Sequence, residues 1–299
     1  MVKISDDTVL VTGASGMVGS RFVELYGGDN FLMPSSREFD ITDKEKVRRF
    51  LKDKKPTAIV NFAAYTNVGN AEEQRNDRTS GCYRINVLGV ENIIDSIDPE
   101  MMHFVQISTD MVFSGRMEKP GPYNESDLAE KESVKLTWYG FTKAEAERIV
   151  LSNLGKRASI VRIIYPVRAK YKNKLDYLRG PLKKYREGRL YPLFSDQQIS
   201  ITFIDELSNA LANIVANRRG GVFHVCSSDT TTPYELISKF ISRVEGRKIE
   251  LDYSPMGELE GRYPRYGGLE SKKTQEVLGI RFRSTDEIIE ELILQGVSV

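Results

Sequence analysis

The 299-residue chain carries 43 Lys+Arg against 42 Asp+Glu, a formal net charge of +1. With 40% apolar and 28% charged residues it has a soluble globular composition, without the basic excess of a general nucleic-acid binder. No run approaches the roughly 20 apolar residues of a membrane span, and the opening MVKISDD lacks a signal-peptide core, so a cytoplasmic protein is expected.

TVLVTG (8–13) reads as a strand and MVGSRFVELYG (17–27) as a helix stopped by Gly27-Gly28. NFLMPSS (30–36) reads as a second strand. A helix capped near Thr42-Asp43 runs to about Lys54. Strand AIVNFAA (58–64), a helix over 83–96 and strand HFVQIS (103–108) follow. A helix from Trp138 to Asn153 leads into strand ASIVRII (158–164). Later come a helix over 204–217, strand GVFHVCS (221–227), a helix over 233–245 opened by Pro233, strand IELDY (249–253) and a helix over 285–295. Apolar strands alternating with helices predict an α/β fold, a Rossmann-type doubly wound parallel sheet. The texture changes after residue 165. The expected division is a dinucleotide lobe over 1–165, with return segments about 196–226, and a smaller α+β substrate lobe over 166–195 and 227–299.

Cys82, Cys226, His103 and His224 are the whole stock of cysteine and histidine, all in apolar surroundings. That argues against a disulfide framework and a structural zinc site, and for a reducing compartment. Core packing is the expected role of all four, and no metal is expected.

Gly13-Ala-Ser-Gly16-Met-Val-Gly19 joins the first strand to the first helix. Glycines there let backbone approach a pyrophosphate, which the helix N-terminus attracts; the alternative is close helix–strand packing alone. After the second strand stands Ser35-Ser36-Arg37, where an NAD-preferring fold carries an acid. A guanidinium and hydroxyls suit the 2′-phosphate of NADP. Glu38 and Asp40 are the alternatives, as ribose or adenine contacts, and Arg37 would then be a solvated charge. Tyr139 and Lys143 share a helix face at i, i+4. An ammonium beside a phenol is expected to lower its pKa and make it an acid–base group. Ser108-Thr109-Asp110 ends the fourth strand, as a carbonyl-polarising hydroxyl or a simple turn. Asn61-Phe-Ala-Ala-Tyr65 ends the third, with small residues for a ligand or for tight packing.

In order the chain holds VTGASGMVG, SREFDITD, VNFAAYTNV, YRINVLGVENI, QISTDMVFSG, PYNESD and YGFTKAEAE. This set, over residues 8–165, resembles the extended short-chain dehydrogenase/reductase superfamily, and within it the dTDP-4-dehydrorhamnose reductase family. The resemblance implies NADPH-dependent reduction of a keto group on a nucleotide-linked deoxysugar, with NADH as the secondary cofactor. It implies a cofactor site of Gly13, Ser15, Gly16, Met17, Val18, Gly19, Ser36, Arg37, Asp40, Ile41, Phe62, Ala63, Ala64, Tyr65, Asn86 and Ser108. Thr109 would polarise the ketone, Tyr139 would donate the proton, and Lys143 would bind the nicotinamide ribose and tune Tyr139. Asp110, Met111, Tyr165 and Arg265 would face the substrate. The implied partner is a sugar nucleotide, not nucleic acid or membrane, with a homodimer as the candidate assembly.

The chain departs from that pattern at Met111, Ser114 and Tyr165, in Ser195-Asp196-Gln197-Gln198, which no proline follows, and at Arg262-Tyr-Pro-Arg265. Its run Arg168, Lys170, Lys172, Lys174, Arg179, Lys183 and Lys184 is unusually basic, as a diphosphate site or a solvated face. These departures leave two rivals: a sugar-nucleotide epimerase or dehydratase, and a non-catalytic regulator like the methionine adenosyltransferase subunit. The dehydratase needs a Glu after Asp110, where Met111 stands.

Overall fold

The computed structural model describes Ile4, residues 7–257 and residues 263–299. They form two compact units. The first holds the described residues up to Phe113, then Leu128–Arg162 and Ser208–Phe223. The second holds Ser114–Asp127, Ile163–Leu207 and the described residues from His224 onward.

A six-stranded sheet runs through the first unit: β1 (Val9–Thr12), β2 (Phe31–Leu32), β3 (Ala58–Asn61), β4 (His103–Thr109), β5 (Ala158–Ile163) and, late in the chain, β9 (Gly221–Val225). Their order is β2-β1-β3-β4-β5-β9, and β1 pairs in parallel with both β2 and β3, as β3 does with β4. Every residue of β1, β3, β4 and β5 is buried, which is why these strands read as continuous apolar runs. Chain order reverses at β1, with β2 on one side and β3 on the other. Such a switch point leaves a crevice beyond the carboxyl ends of the two strands.

The helices of this unit begin with α1 (Met17–Tyr26), α2 (Lys44–Lys54) and α3 (Val68–Glu72). Asp43 caps α2 by accepting from the Lys46 amide at 3.1 Å. The helix expected over 83–96 is built of α4 (Gly81–Tyr83), a π-helical turn (Arg84–Leu88) and α5 (Gly89–Ile94). The widened turn carries Asn86, and such turns recur at functional sites. The long helix α6 (Trp138–Leu154) packs Trp138, Ala146 and Val150 into a core with Ile59, Phe104 and Ile160 from the sheet.

In the second unit β6 (Pro166–Val167) pairs with β8 (Thr202–Phe203), and β7 (Leu193–Phe194) with β10 (Tyr253–Ser254). Helix α7 (Arg179–Arg186) lies between β6 and β7 in the chain, and α8 (Ile204–Ala216) passes from this unit into the first. The remaining helices are α9 (Pro233–Val244), α10 (Lys272–Leu278) and α11 (Thr285–Leu294). Thr232–Glu235 and Ser284–Glu287 form capping boxes at α9 and α11.

Several boundaries differ from the sequence reading. Residues 114–127 and 196–207 lie in the second unit, because Tyr123 bonds Gly268 and bridges Leu269, and β8 pairs with β6. The strand expected over 249–253 shrinks to β10. Pro192 precedes β7 and Pro255 follows β10, and neither has an N–H to extend the ladder. Pro34 cuts the second strand short in the same way. Helices α3, α7 and α10 were not marked by the sequence pattern. Cys82 and Cys226 are free and buried. Among the described residues no helix is long and apolar enough to cross a membrane.

Candidate active site

The turn after β1 bends through Gly13 in the left-handed region, φ 64°. A Cβ on Gly19 would lie 2.6 Å from the Gly13 carbonyl oxygen, so only glycine lets α1 start this close to the strand. Gly13, Ser15 and Gly16 are exposed, and Met17 and Val18 half-buried. Gly16 caps α1 without any side-chain bond, and the first turn holds no acid. The positive end of the helix is therefore open to an anion. Phe62, Ala63, Ala64 and Tyr65 leave β3 alongside. A Cβ on Gly13 would meet the Ala63 amide nitrogen at 3.0 Å, so the two loops abut at the switch point.

After β2, Ser36 and Arg37 are exposed. The two nearby carboxylates are occupied locally. Glu38 accepts from the Ser35 amide and hydroxyl at 2.9 and 2.7 Å, and these bonds lower its pKa. Burial pushes Asp40 up, but two bonds from Thr42, with Lys46 and Arg84 nearby, prevail and lower it. Arg37 instead shares a cavity of about 420 Å³ with Lys46, Arg49, Phe50, Glu38 and Asp53. Lys46 and Arg49 were not singled out in the sequence; one helical turn apart on α2, they show no motif. Ile41, expected at the cofactor, is 5% exposed and packs in the core.

Thr109 closes β4, and Tyr139 and Lys143 stand in the first turns of α6. The Thr109 hydroxyl donates to Asp110 Oδ1 at 3.0 Å, and it lies near enough to the Tyr139 phenol to favour its ionised form. Lys143 is 3% exposed, and its Nζ donates to the Ile107 carbonyl at 2.7 Å. Burial lowers the ammonium to about 8, against the charge of Glu147. Burial also lifts Asp110 to about 7. The expected lowering of the Tyr139 phenol is not found. Desolvation, then the Asp110 carboxylate, pushes its pKa up, and only the Thr109 hydroxyl opposes. The physical reason is that Lys143 is turned onto a backbone carbonyl, so its charge is not the one that governs the phenol.

A chain of buried polar groups leads to that carbonyl. Ala63 N donates to Thr12 Oγ1 at 3.1 Å, and Thr12 Oγ1 to Asn61 Oδ1 at 2.5 Å. Asn61 Nδ2 donates to Gln106 Oε1, and Gln106 Nε2 to the Ile107 oxygen, each at 2.8 Å. Both amides are fully buried. Asn86, which the resemblance makes a structural or water-organising residue of the cofactor site, is 1% exposed and already engaged. It accepts from Tyr65 N at 2.8 Å and donates to Tyr65 O at 3.1 Å and Thr142 Oγ1 at 3.0 Å. It ties the β3 loop to α6 rather than facing a ligand. Ser108 likewise points inward, its hydroxyl donating to Glu147.

Met111 is half-buried on the short turn after Thr109. Tyr165 and Arg265 lie in the second unit. Tyr165 has φ 39° and stacks on Tyr177 at 4.0 Å. Arg265 pairs with Asp196 at 2.6 Å, while Gln197 donates to the Pro264 carbonyl at 3.0 Å. Two segments far apart in the sequence are thus laced together. Arg262 lies outside the described residues. The basic run divides: Arg168 and Arg179 are buried, Arg179 on Asp176 and the Tyr171 and Lys174 carbonyls, whereas Lys170, Lys172, Lys174, Lys183 and Lys184 are exposed. Among the described residues no group of three or more His, Cys, Asp or Glu is arranged to hold a metal ion.

A family model described as the RmlD substrate binding domain matches residues 7–297. The chain is 29% identical to a dTDP-4-keto-6-deoxy-D-glucose reductase from Streptomyces niveus, over 87% of this chain and 88% of that protein. It is 27% identical to a dTDP-4-dehydrorhamnose reductase from Aggregatibacter actinomycetemcomitans, over 81% and 80%. The fold matches the Bacillus anthracis dTDP-4-dehydrorhamnose reductase, solved in complex with NADP, at a TM-score of 0.82. That match covers 97% of this chain and 100% of the other, at 23% identity.

Two variants test this geometry. A Cβ at Gly140 would lie 2.1 Å from the Met111 carbonyl oxygen. Gly140→Ala should therefore drive α6 from the end of β4 and cost about 1–3 kcal/mol in urea denaturation. Lys143→Met should instead stabilise the protein at pH 7, by about 1–3 kcal/mol, by removing a buried charge. The sign follows from the ammonium's fall from 10.5 to about 8. The unfolded state binds the extra proton in that window, so wild-type stability gains a rising contribution with pH through it. Lys143→Met should lack that rise.

Proposed function

The chain belongs to the RmlD substrate binding domain family, and on that premise we propose that it is an NADPH-dependent reductase of the 4-keto group of a dTDP-linked deoxysugar. The carrying observation is the gathering of Thr109 at the end of β4 with Tyr139 and buried Lys143 at the start of α6, on the sheet that also bears the open glycine turn. The dTDP-sugar reductases among its relatives support the substrate class.

The chain's own groups fit the cofactor. The uncapped start of α1, with Gly13, Ser15, Gly16, Met17 and Val18 around it, would hold the pyrophosphate. Arg37 would take the 2′-phosphate, with Lys46 and Arg49 beside it and Glu38 held on Ser35, although Asp53 also lines the cavity. NADH, lacking that phosphate, is the poorer cofactor. Ala63, Ala64 and Tyr65 would line the nicotinamide end, held by Thr12 and Asn86. When bound, NADPH supplies the hydride.

Thr109 would turn its hydroxyl proton from Asp110 Oδ1 to the ketone oxygen and stabilise that oxygen as charge develops. Tyr139 releases its proton to that oxygen. A phenol with a raised pKa is protonated at neutral pH, which is the form that reduction consumes. Lys143, bonded to the Ile107 carbonyl in the ligand-free protein, would hold the ribose by turning its ammonium to it. Asp110 and Met111, which follow Thr109 directly, would border the sugar. The protein acts in the cytoplasm on a small sugar nucleotide, not on nucleic acid or membrane.

The direct test is NADPH oxidation against a panel of 4-keto-deoxysugar nucleotides. Turnover of a dTDP-linked member is expected, and no turnover with any would favour the regulatory reading. With the substrate found, Tyr139→Phe should lower kcat about 10²–10⁴-fold while NADPH still binds. Unchanged turnover would remove Tyr139 as proton donor. Arg37→Ala should weaken NADPH about tenfold or more, by loss of a charge-assisted bond, and leave NADH nearly unaffected in fluorescence titration.

A further inference from the structure

Beneath the three residues assigned to the chemistry lies a buried cluster that the mechanism does not use. Glu147 is 2% exposed, and so is Arg162 on β5. Arg162 grips both carboxylate oxygens, from Nε at 3.0 and 3.3 Å and from Nη2 at 2.7 Å. Ser108, 3% exposed, donates its hydroxyl to the same carboxylate. Arg162 also sits 4.8 Å over the Phe113 ring. A buried ion pair seldom stabilises more than apolar packing of the same volume. Its presence here calls for a task that apolar side chains could not perform.

The chain positions supply that task. Ser108 directly precedes Thr109, and Glu147 follows Lys143 by one helical turn. The Ser108–Glu147 bond therefore joins the strand end bearing Thr109 to the helix bearing Tyr139 and Lys143. Arg162 braces the joint from the neighbouring strand. We propose that Glu147, braced by Arg162, is a positioning residue for the reaction: it locks α6 to the end of β4 through Ser108 and holds the Lys143 ammonium by its charge. This rests on the reductase reading. The titratable groups facing Lys143 are Glu147 on its own helix and Cys82 from α4. Burial raises the Cys82 thiol and keeps it neutral at pH 7, so Glu147 is the charge that acts on the ammonium.

The test pairs two readouts. In the ligand-free protein, ¹³C NMR of labelled lysine gives the Lys143 titration, assigned by its loss in Lys143→Met. In parallel, kcat is followed against pH with the substrate that wild type reduces. Glu147→Gln should move the Lys143 midpoint down by about one pH unit, and the alkaline limb of kcat with it. It should also lower kcat at pH 7 about tenfold. Ser108→Ala keeps the charge and loosens the joint, so it should lower kcat several-fold and leave the midpoint in place. A folded Glu147→Gln with wild-type midpoint and kcat overturns the proposal. If that variant does not fold, Glu147→Asp serves, with its charge drawn back from Ser108; a wild-type midpoint and kcat there overturn it equally. Because the titration needs no ligand, a wild type without turnover sinks the reductase reading and leaves this measurement standing.

Discussion

An ammonium almost cut off from water is the constraint around which the first unit is organised. Lys143 has one backbone carbonyl for its proton and one carboxylate a helical turn away. Desolvation works against its charge, so each compensating group must be held in place. The carbonyl is fixed by Gln106, which is fixed by Asn61 and Thr12. The carboxylate is fixed by Arg162 and Ser108. The polar chain starts at Thr12, the residue before the glycine turn. The loop that would receive the cofactor and the lysine that would hold its ribose therefore rest on one network. A half-satisfied network of this kind would be costly, and that cost ties the parts to a single arrangement.

Tyr139 gains its character from the same setting. Its helix starts hard against Met111, where Gly140 leaves no room for a side chain. Thr109 is thereby brought to the phenol, and Asp110 comes with it. Burial first, and then this carboxylate, raise the phenol's pKa, so Tyr139 holds its proton in the absence of ligand. The pairing of tyrosine with lysine in the sequence pointed to the opposite shift. One helical turn of separation says that two groups share a face; it does not say which neighbour each one addresses.

The second unit shows the same limit. Its basic run looked uniform in sequence, yet Arg179 is buried on Asp176 while the lysines stay in water. Asp196, Gln197, Pro264 and Arg265 seemed to be two unrelated departures from the family pattern. They are joined by an ion pair and side-chain hydrogen bonds. Such contacts between distant segments leave no periodicity to read.

The sequence by itself determined what depends on local pattern. Continuous apolar runs gave away the buried parallel strands, and the glycine spacing marked a turn that only glycine can make. The ordered motifs identified Thr109, Tyr139 and Lys143 as a group. Only the tertiary structure decided what each side chain spends its bonds on. It turned Asn86 onto Tyr65, Ser108 onto Glu147 and Ile41 into the core, and it drew Lys46 and Arg49 to Arg37. It also set the pKa values, because desolvation is a property of the whole packed surroundings and not of residue spacing.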